Sequence, residues 1–140
     1  MKFMSPGPAL SHQALLGNVA VALADHVERY QLGKVYLAPA DVIISMTPLR
    51  TRQPDVMFVS NARLHMAQNV MHGGPDLVVE ILSPGNTPKH IQAKLRDYAS
   101  VDVREAWVVD PKQAKISVLH PEDGEFRQTE IGRASCRERV

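Results

Sequence analysis

The stretch Gly73-Gly74-Pro75-Asp76-Leu77-Val78-Val79-Glu80-Ile81-Leu82-Ser83-Pro84 decides the fold. Gly and Pro bound a short apolar run, and such a run reads as a strand buried on both faces. Glu80 stands inside it. An unpaired buried charge costs several kcal/mol or neutralises itself, so a buried acid is usually paired or holds a metal. Two readings follow for Glu80. It lies near the strand end and reaches water or a basic side chain, or it belongs to a functional site.

Immediately upstream, Pro54-Asp55-Val56-Met57-Phe58-Val59 reads as another strand with Asp55 at its start. By itself Asp55 reads as a turn or cap residue. Downstream, Ser83 to Pro88 is a loop that starts a helix, with Asn86 or Thr87 as cap and Pro88 in the first turn. That helix is predicted from Pro88 to Ser100, with Ile91, Leu95 and Tyr98 on its apolar face. Lys94 lies three residues after Ile91 and four before Tyr98, so it borders that face. Its ordinary reading is a lysine with a packed stem and a solvated head. Ala106 to Pro111 is a strand ending in a turn, and Leu77 through the helix to Trp107 forms a strand–helix–strand crossover, right-handed if the strands are parallel. Ile116 to His120 is the next strand. Pro121-Glu122-Asp123-Gly124 is a turn, and Glu125 to Thr129 begins a pairing strand.

Toward the N-terminus, residues 1 to 8 are Pro/Gly-rich and aperiodic. Leu15, Val19, Leu23, Val27 and Tyr30 then recur on one helical face, with Ser11 as N-cap and Gly33 as stop. The first half of this helix carries little charge, so other elements should cover much of it. Lys34 to Ala38 and Asp41 to Ser45 are strand material broken at Pro39, where a bulge or a sheet edge is expected. Thr47 to Gln53 reads as a polar turn carrying Arg50 and Arg52. Ser60 to His72 reads as a loop with a helical turn around Ala62 to Met66. His12 and His26 read as solvated or edge residues, and His65 and His72 as surface residues, because their spacing fits no zinc pattern. Helix, strands, helix, strands: this order predicts an α/β (mixed α+β) sheet flanked by helices.

At 140 residues the chain makes one domain at most. Its 44% apolar and 22% charged content is ordinary for a globular protein. No apolar run is long enough to span a bilayer, and Met1-Lys2-Phe3-Met4-Ser5-Pro6 has no signal-peptide apolar region, so the expectation is a cytoplasmic protein without membrane contact. The segment 130–140, Glu130 to Val140, reads as a translated sequencing adapter rather than native sequence, which leaves residues 1–129 as the domain. Setting it aside removes three Arg and two Glu. Lys+Arg falls from 16 to 13, Asp+Glu from 15 to 13, and the net charge from +1 to 0. The single cysteine, Cys136, goes with it, so thiol and cysteine–metal chemistry drop out.

Phosphate-loop, dinucleotide, nucleophile-elbow and zincin motifs are all absent from the sequence. What remains is Asp55, Glu80 and Lys94. Two carboxylates on neighbouring strands can hold a hard divalent cation through oxygen. Such a cation polarises a phosphoryl oxygen, and a nearby ammonium orients water and offsets developing charge. Asp76 is poorly placed to share the ion, since it stands four residues before Glu80, about 13 Å along a strand.

Four ordered segments resemble the Uma2 family, restriction-endonuclease-like proteins of the PD-(D/E)XK nuclease superfamily. They are Gln53-Pro54-Asp55-Val56-Met57-Phe58-Val59, Gly74 to Pro84, Lys94-Leu95-x-x-Tyr98, and Val103-Arg104-Glu105-Ala106-Trp107-Val108-Val109-Asp110-Pro111. The resemblance covers about Ser5 to Phe126. It implies a restriction-endonuclease-like mixed sheet flanked by helices and a Mg²⁺- or Mn²⁺-dependent endonuclease acting on DNA, and it admits a homodimer. A non-catalytic binding or assembly module on the same fold is the alternative. Asp55 matches the motif aspartate and Glu80 the motif acid, and these two would hold the metal. The usual motif lysine position is Leu82 here, and Lys94 on the helix is the replacement. Asp76 matches a recurrent family acid without an assigned role. His90 stands where the family often has an acid, four residues before the helix lysine, and Tyr98 completes the helix motif. The family has a helix and strands before the position of Ser5, so the expectation is a domain cut at both ends. The 5% aromatic content argues against base stacking and for phosphate contacts.

Overall fold

The structure is a computed structural model that describes residues 10–133. Its centre is β5 (Leu77–Ile81), and all five of its residues are buried. β5 lies between β4 (Val56–Ser60), antiparallel to it, and β6 (Glu105–Asp110), parallel to it. The parallel pair is joined through α2 (Pro88–Ser100), with the bounds expected from its sequence. Outward from these, β1 (Gly33–Leu37) pairs with β4, while β7 (Lys115–Glu122) and β8 (Glu125–Arg133) follow β6. The strand order among the described residues is β1-β4-β5-β6-β7-β8, with all pairs antiparallel except β5–β6. This is the mixed sheet flanked by helices that the sequence predicts.

Alternation along the strands builds two cores. Val56, Leu77, Val79, Ile81, Val109 and Ile116 face α1 (Leu10–Arg29), which contributes Leu15, Leu16, Val19, Ala20 and Leu23. Met57, Val59, Val78 and Ala106 face the other way, onto Leu95 and Tyr98 of α2. Fully burying one such aliphatic side chain is worth about 1.5–3 kcal/mol, so this double cover fixes the register of β5.

Several local expectations are corrected. Thr47 to Gln53 is not wholly a turn: Leu49–Arg52 forms β3, paired with β2 (Val42–Met46) in a separate hairpin. Its residues are mostly exposed, so the period-2 pattern of a half-buried strand is missing from the sequence. The bulge lies inside this hairpin, between Ile43 and Ser45, rather than at Pro39, while β1, before Pro39, is a sheet edge as expected. Ser11 lies inside α1, one residue past its start at Leu10. The helix ends at Arg29 and the chain turns at Gln31, which has φ 52°. Gly33 instead opens β1, where a Cβ would run into the Val59 carbonyl. Cover of α1 is narrower than expected: Leu10 and Val21 are exposed, as is Tyr30 just past its end. The turn between β7 and β8 is Asp123-Gly124, both with positive φ, while Pro121 and Glu122 are in β7.

The backbone of Glu130 to Arg133 continues β8 against Val118 to Lys115. A sheet edge accepts any backbone that offers N–H and C=O groups, so this pairing is independent of the origin of the segment. The rest of it, 134–140, and the aperiodic N-terminus, 1–9, lie outside the described residues. Among the described residues no helix is long and apolar enough to cross a membrane.

Candidate active site

Asp55 immediately precedes β4, and Glu80 is the penultimate residue of β5. The last paired residues are Val56 and Val79, so Asp55 and Glu80 are the next residues out on adjacent strands. Alternation puts both on the α2 face, with Met57, Val59 and Val78. The Asp55 main-chain N–H donates to the Val79 carbonyl at 3.1 Å. Its Oδ2 accepts from the Ile81 N–H at 2.7 Å, in effect extending the strand ladder through a side chain.

Glu80 is only 4% exposed. Lys94 Nζ donates to its Oε1 at 3.2 Å, and the Tyr98 hydroxyl donates to its Oε2 at 2.6 Å. Residues four apart on a helix share a face, so α2 presents both donors to one carboxylate. The helix starts where it must for this. Thr87 Oγ1 caps the His90 N–H at 3.2 Å and Pro88 occupies the first turn. Lys94 therefore turns its ammonium toward Glu80, with its side chain partly exposed. Burial pushes the Glu80 carboxyl above its ordinary 4.5. The Tyr98 hydrogen bond and the Lys94 charge pull it back, and the Asp55 charge pushes it further up. Tyr98 is also raised, first by its own burial and then by the neighbouring Glu80 carboxylate, so it remains a neutral donor.

Asp76 is brought to the opposite end of β5. Its Oδ1 accepts from the Ser60 N–H at 2.7 Å, and its Oδ2 lies 3.8 Å from Arg63 Nε. Its carbonyl also accepts from Arg104 and Glu105. Asp76 thus fastens β5 to its neighbours, away from Glu80. His90 is exposed on the first turn of α2, one turn before Lys94. His26, His65 and His72 are exposed, as expected.

The arginines of β3 do not stand free. Arg50 Nη2 and Arg52 Nε both donate to Asp97 Oδ2 at 2.7 Å. Burial pushes Asp97 up, but the bonds and charges of both arginines outweigh it and hold its carboxyl below the ordinary 3.8. The hairpin is thereby tied to α2 beside Tyr98, whose ionisation feels the Arg52 charge. Lys89 and Arg96 are exposed and make no ion pair among the described residues.

One neighbour escaped the sequence. His12, on the first turns of α1, places Nε2 3.2 Å from the Ile81 carbonyl. Its sequence reading is a solvated or edge residue, because the contact spans 69 positions and nothing local to His12 signals which strand end its helix abuts.

The chain matches the Uma2 family model, described as "Putative restriction endonuclease", over residues 1–137. No curated protein sequence matches. Among solved structures it is similar to a putative nuclease belonging to DUF820 from Anabaena variabilis ATCC 29413, with 18% identity and a TM-score of 0.75. The match covers 90% of this chain and 70% of that one. At that identity the likeness speaks for the fold. The family match spans nearly the whole sequence, and the chain belongs to the Uma2 family.

Proposed function

We propose that the protein hydrolyses DNA phosphodiester bonds at Asp55, Glu80 and Lys94 with Mg²⁺ or Mn²⁺ held by the two carboxylates. The observation that carries this reading is the buried Glu80 carboxylate with Lys94 3.2 Å away and Asp55 on the adjacent strand. Family membership supports nuclease chemistry. The donors fit a hard cation, being carboxylate oxygens, and Asp55 Oδ1 makes no hydrogen bond among the described residues. No group of three or more His, Cys, Asp or Glu suited to a metal occurs among the described residues. Mg²⁺ needs none, since it is commonly held by one or two carboxylates, with water and substrate phosphate completing the shell.

When bound, such an ion supplies Lewis-acid polarisation of the scissile phosphate. The chain's own residues do the rest. Lys94 holds the attacking water by its ammonium and offsets charge as it grows on the phosphoryl oxygens. Tyr98 keeps Glu80 in one orientation, and the Ile81 N–H does the same for Asp55. Lys89 and Arg96 on α2 are cations suited to DNA phosphates. The test is cleavage of supercoiled plasmid DNA in Mg²⁺. The reading requires cleavage that EDTA stops and that Asp55→Asn and Glu80→Gln abolish. Cleavage by both variants at the wild-type rate would exclude this site.

One observation favours the alternative of a non-catalytic nuclease-fold binding or assembly module: both Glu80 oxygens already have donors in Lys94 and Tyr98. Such a module would bind no divalent ion and would cut nothing.

A further inference from the structure

We infer that His12 is a positioning residue of this site, acting through Ile81 from the opposite face of the sheet. The inference rests on the metal reading of Asp55 and Glu80. Ile81 follows Glu80 and is pinned on both sides. Its N–H, in the peptide shared with Glu80, donates to Asp55 Oδ2 at 2.7 Å. Its carbonyl, in the peptide shared with Leu82, meets His12 Nε2 at 3.2 Å. The Leu82 N–H donates to Val109 at 2.8 Å. A carbonyl oxygen only accepts, so Nε2 carries the proton and donates.

The other ring nitrogen, Nδ1, is buried and has no partner among the described residues. Leaving a buried polar atom unpaired is unfavourable, because it loses its water without gaining a partner. An apolar side chain at position 12 would avoid that cost, and the bond to Ile81 is what the imidazole provides in return. α1 otherwise packs on the apolar core through Leu15, Leu16, Val19, Ala20 and Leu23, so His12 is its polar contact with the end of β5. The consequence reaches the acids. The peptide that orients Asp55 is one residue from the carbonyl held by His12, so freeing that carbonyl loosens the hold on Asp55.

The experiment is Mn²⁺ titration by calorimetry on the full chain, with thermal melting measured separately. His12→Ala and His12→Leu both remove the donor, and Leu refills the space if Ala fails to fold. His12→Gln restores an N–H donor. Groups bonded directly to a metal ligand typically change metal affinity by about 10- to 100-fold, and His12, one residue further out, belongs at the low end of that range. A loss at that low end is expected for Ala and Leu at a temperature where they are folded, with Gln recovering most of it. Wild-type Mn²⁺ affinity in the folded Ala or Leu variant, or a Gln variant as weak as Leu, overturns the inference. Asp55→Asn separates this from failure of the site reading. If Asp55→Asn loses Mn²⁺ and the His12 variants do not, only the role of His12 falls. If Asp55→Asn binds Mn²⁺ like the wild type, both fall.

Discussion

The Tyr98 hydroxyl donates to Glu80 Oε2 at 2.6 Å across the packed interface between α2 and β5. Tyr98 is fully buried, and its ring packs in the core between sheet and helix. The bond therefore couples the geometry of the site to the folding of the domain. Tyr98→Phe keeps the ring and removes the donor. It should destabilise the protein by about 1–3 kcal/mol, because one oxygen of a buried carboxylate loses its partner. Chemical denaturation of the two proteins measures this.

Glu80 should behave in the opposite sense. Its carboxyl is raised above the ordinary 4.5, chiefly by burial, so the folded state binds its proton more tightly than the unfolded chain. Between 4.5 and the raised value the folded state holds more proton, and stability from this group falls as pH rises. Glu80→Gln has no such titration. The wild type should therefore gain on Glu80→Gln as pH is lowered from neutral toward 4.5, and at neutral pH the variant should be as stable as the wild type or more so. Removing a charge kept for function often has this outcome. Melting temperatures of both proteins across that pH range are the check.

Asp97 supplies the reverse pH dependence. Its two arginine partners hold its carboxyl below 3.8 against the effect of burial, so its contribution is present above 3.8 and lost as pH falls through the lowered value. Asp97→Asn should cost about 1–2 kcal/mol at neutral pH, discounted for the partial exposure of Arg50 and Arg52. The gap should close in acid. Denaturation curves at neutral and acid pH would show it.

Asp76→Asn separates scaffold from site. The carboxylate accepts the Ser60 N–H and faces Arg63, so its loss should lower stability by about 1–2 kcal/mol. Mn²⁺ affinity should stay as in the wild type, because Asp76 and Glu80 stand at opposite ends of β5. Calorimetry on the folded variant decides this, and a tenfold weaker affinity would bring Asp76 into the site.

What the sequence made legible was local. Strand β5 shows as an unbroken apolar run because both its faces are buried. The bounds of α2 follow from Thr87 and Pro88, residues next to the turn they start. The shared face of Lys94 and Tyr98 is a matter of helical spacing. Contacts across the fold leave no such trace. The pairing of Arg50 and Arg52 with Asp97 spans 47 and 45 positions, and that of His12 with Ile81 spans 69. β3 was hidden for another reason: exposed Leu49, Arg50 and Thr51 carry no buried face to print a pattern.

Lys94→Met gives the most direct test of the central claim, that Asp55, Glu80 and Lys94 form one hydrolytic unit. Met keeps the packed stem and removes the ammonium that stands 3.2 Å from Glu80. The measurement is single-turnover cleavage of duplex DNA in Mg²⁺ by wild type and variant, both shown to be folded and to bind Mn²⁺. Loss of one transition-state donor typically costs about 10²–10³ in rate, and a fall of that size with Mn²⁺ binding retained is the expected result. Equal rates for the two proteins, or a folded wild type that binds no Mn²⁺ and cuts nothing, would contradict the account.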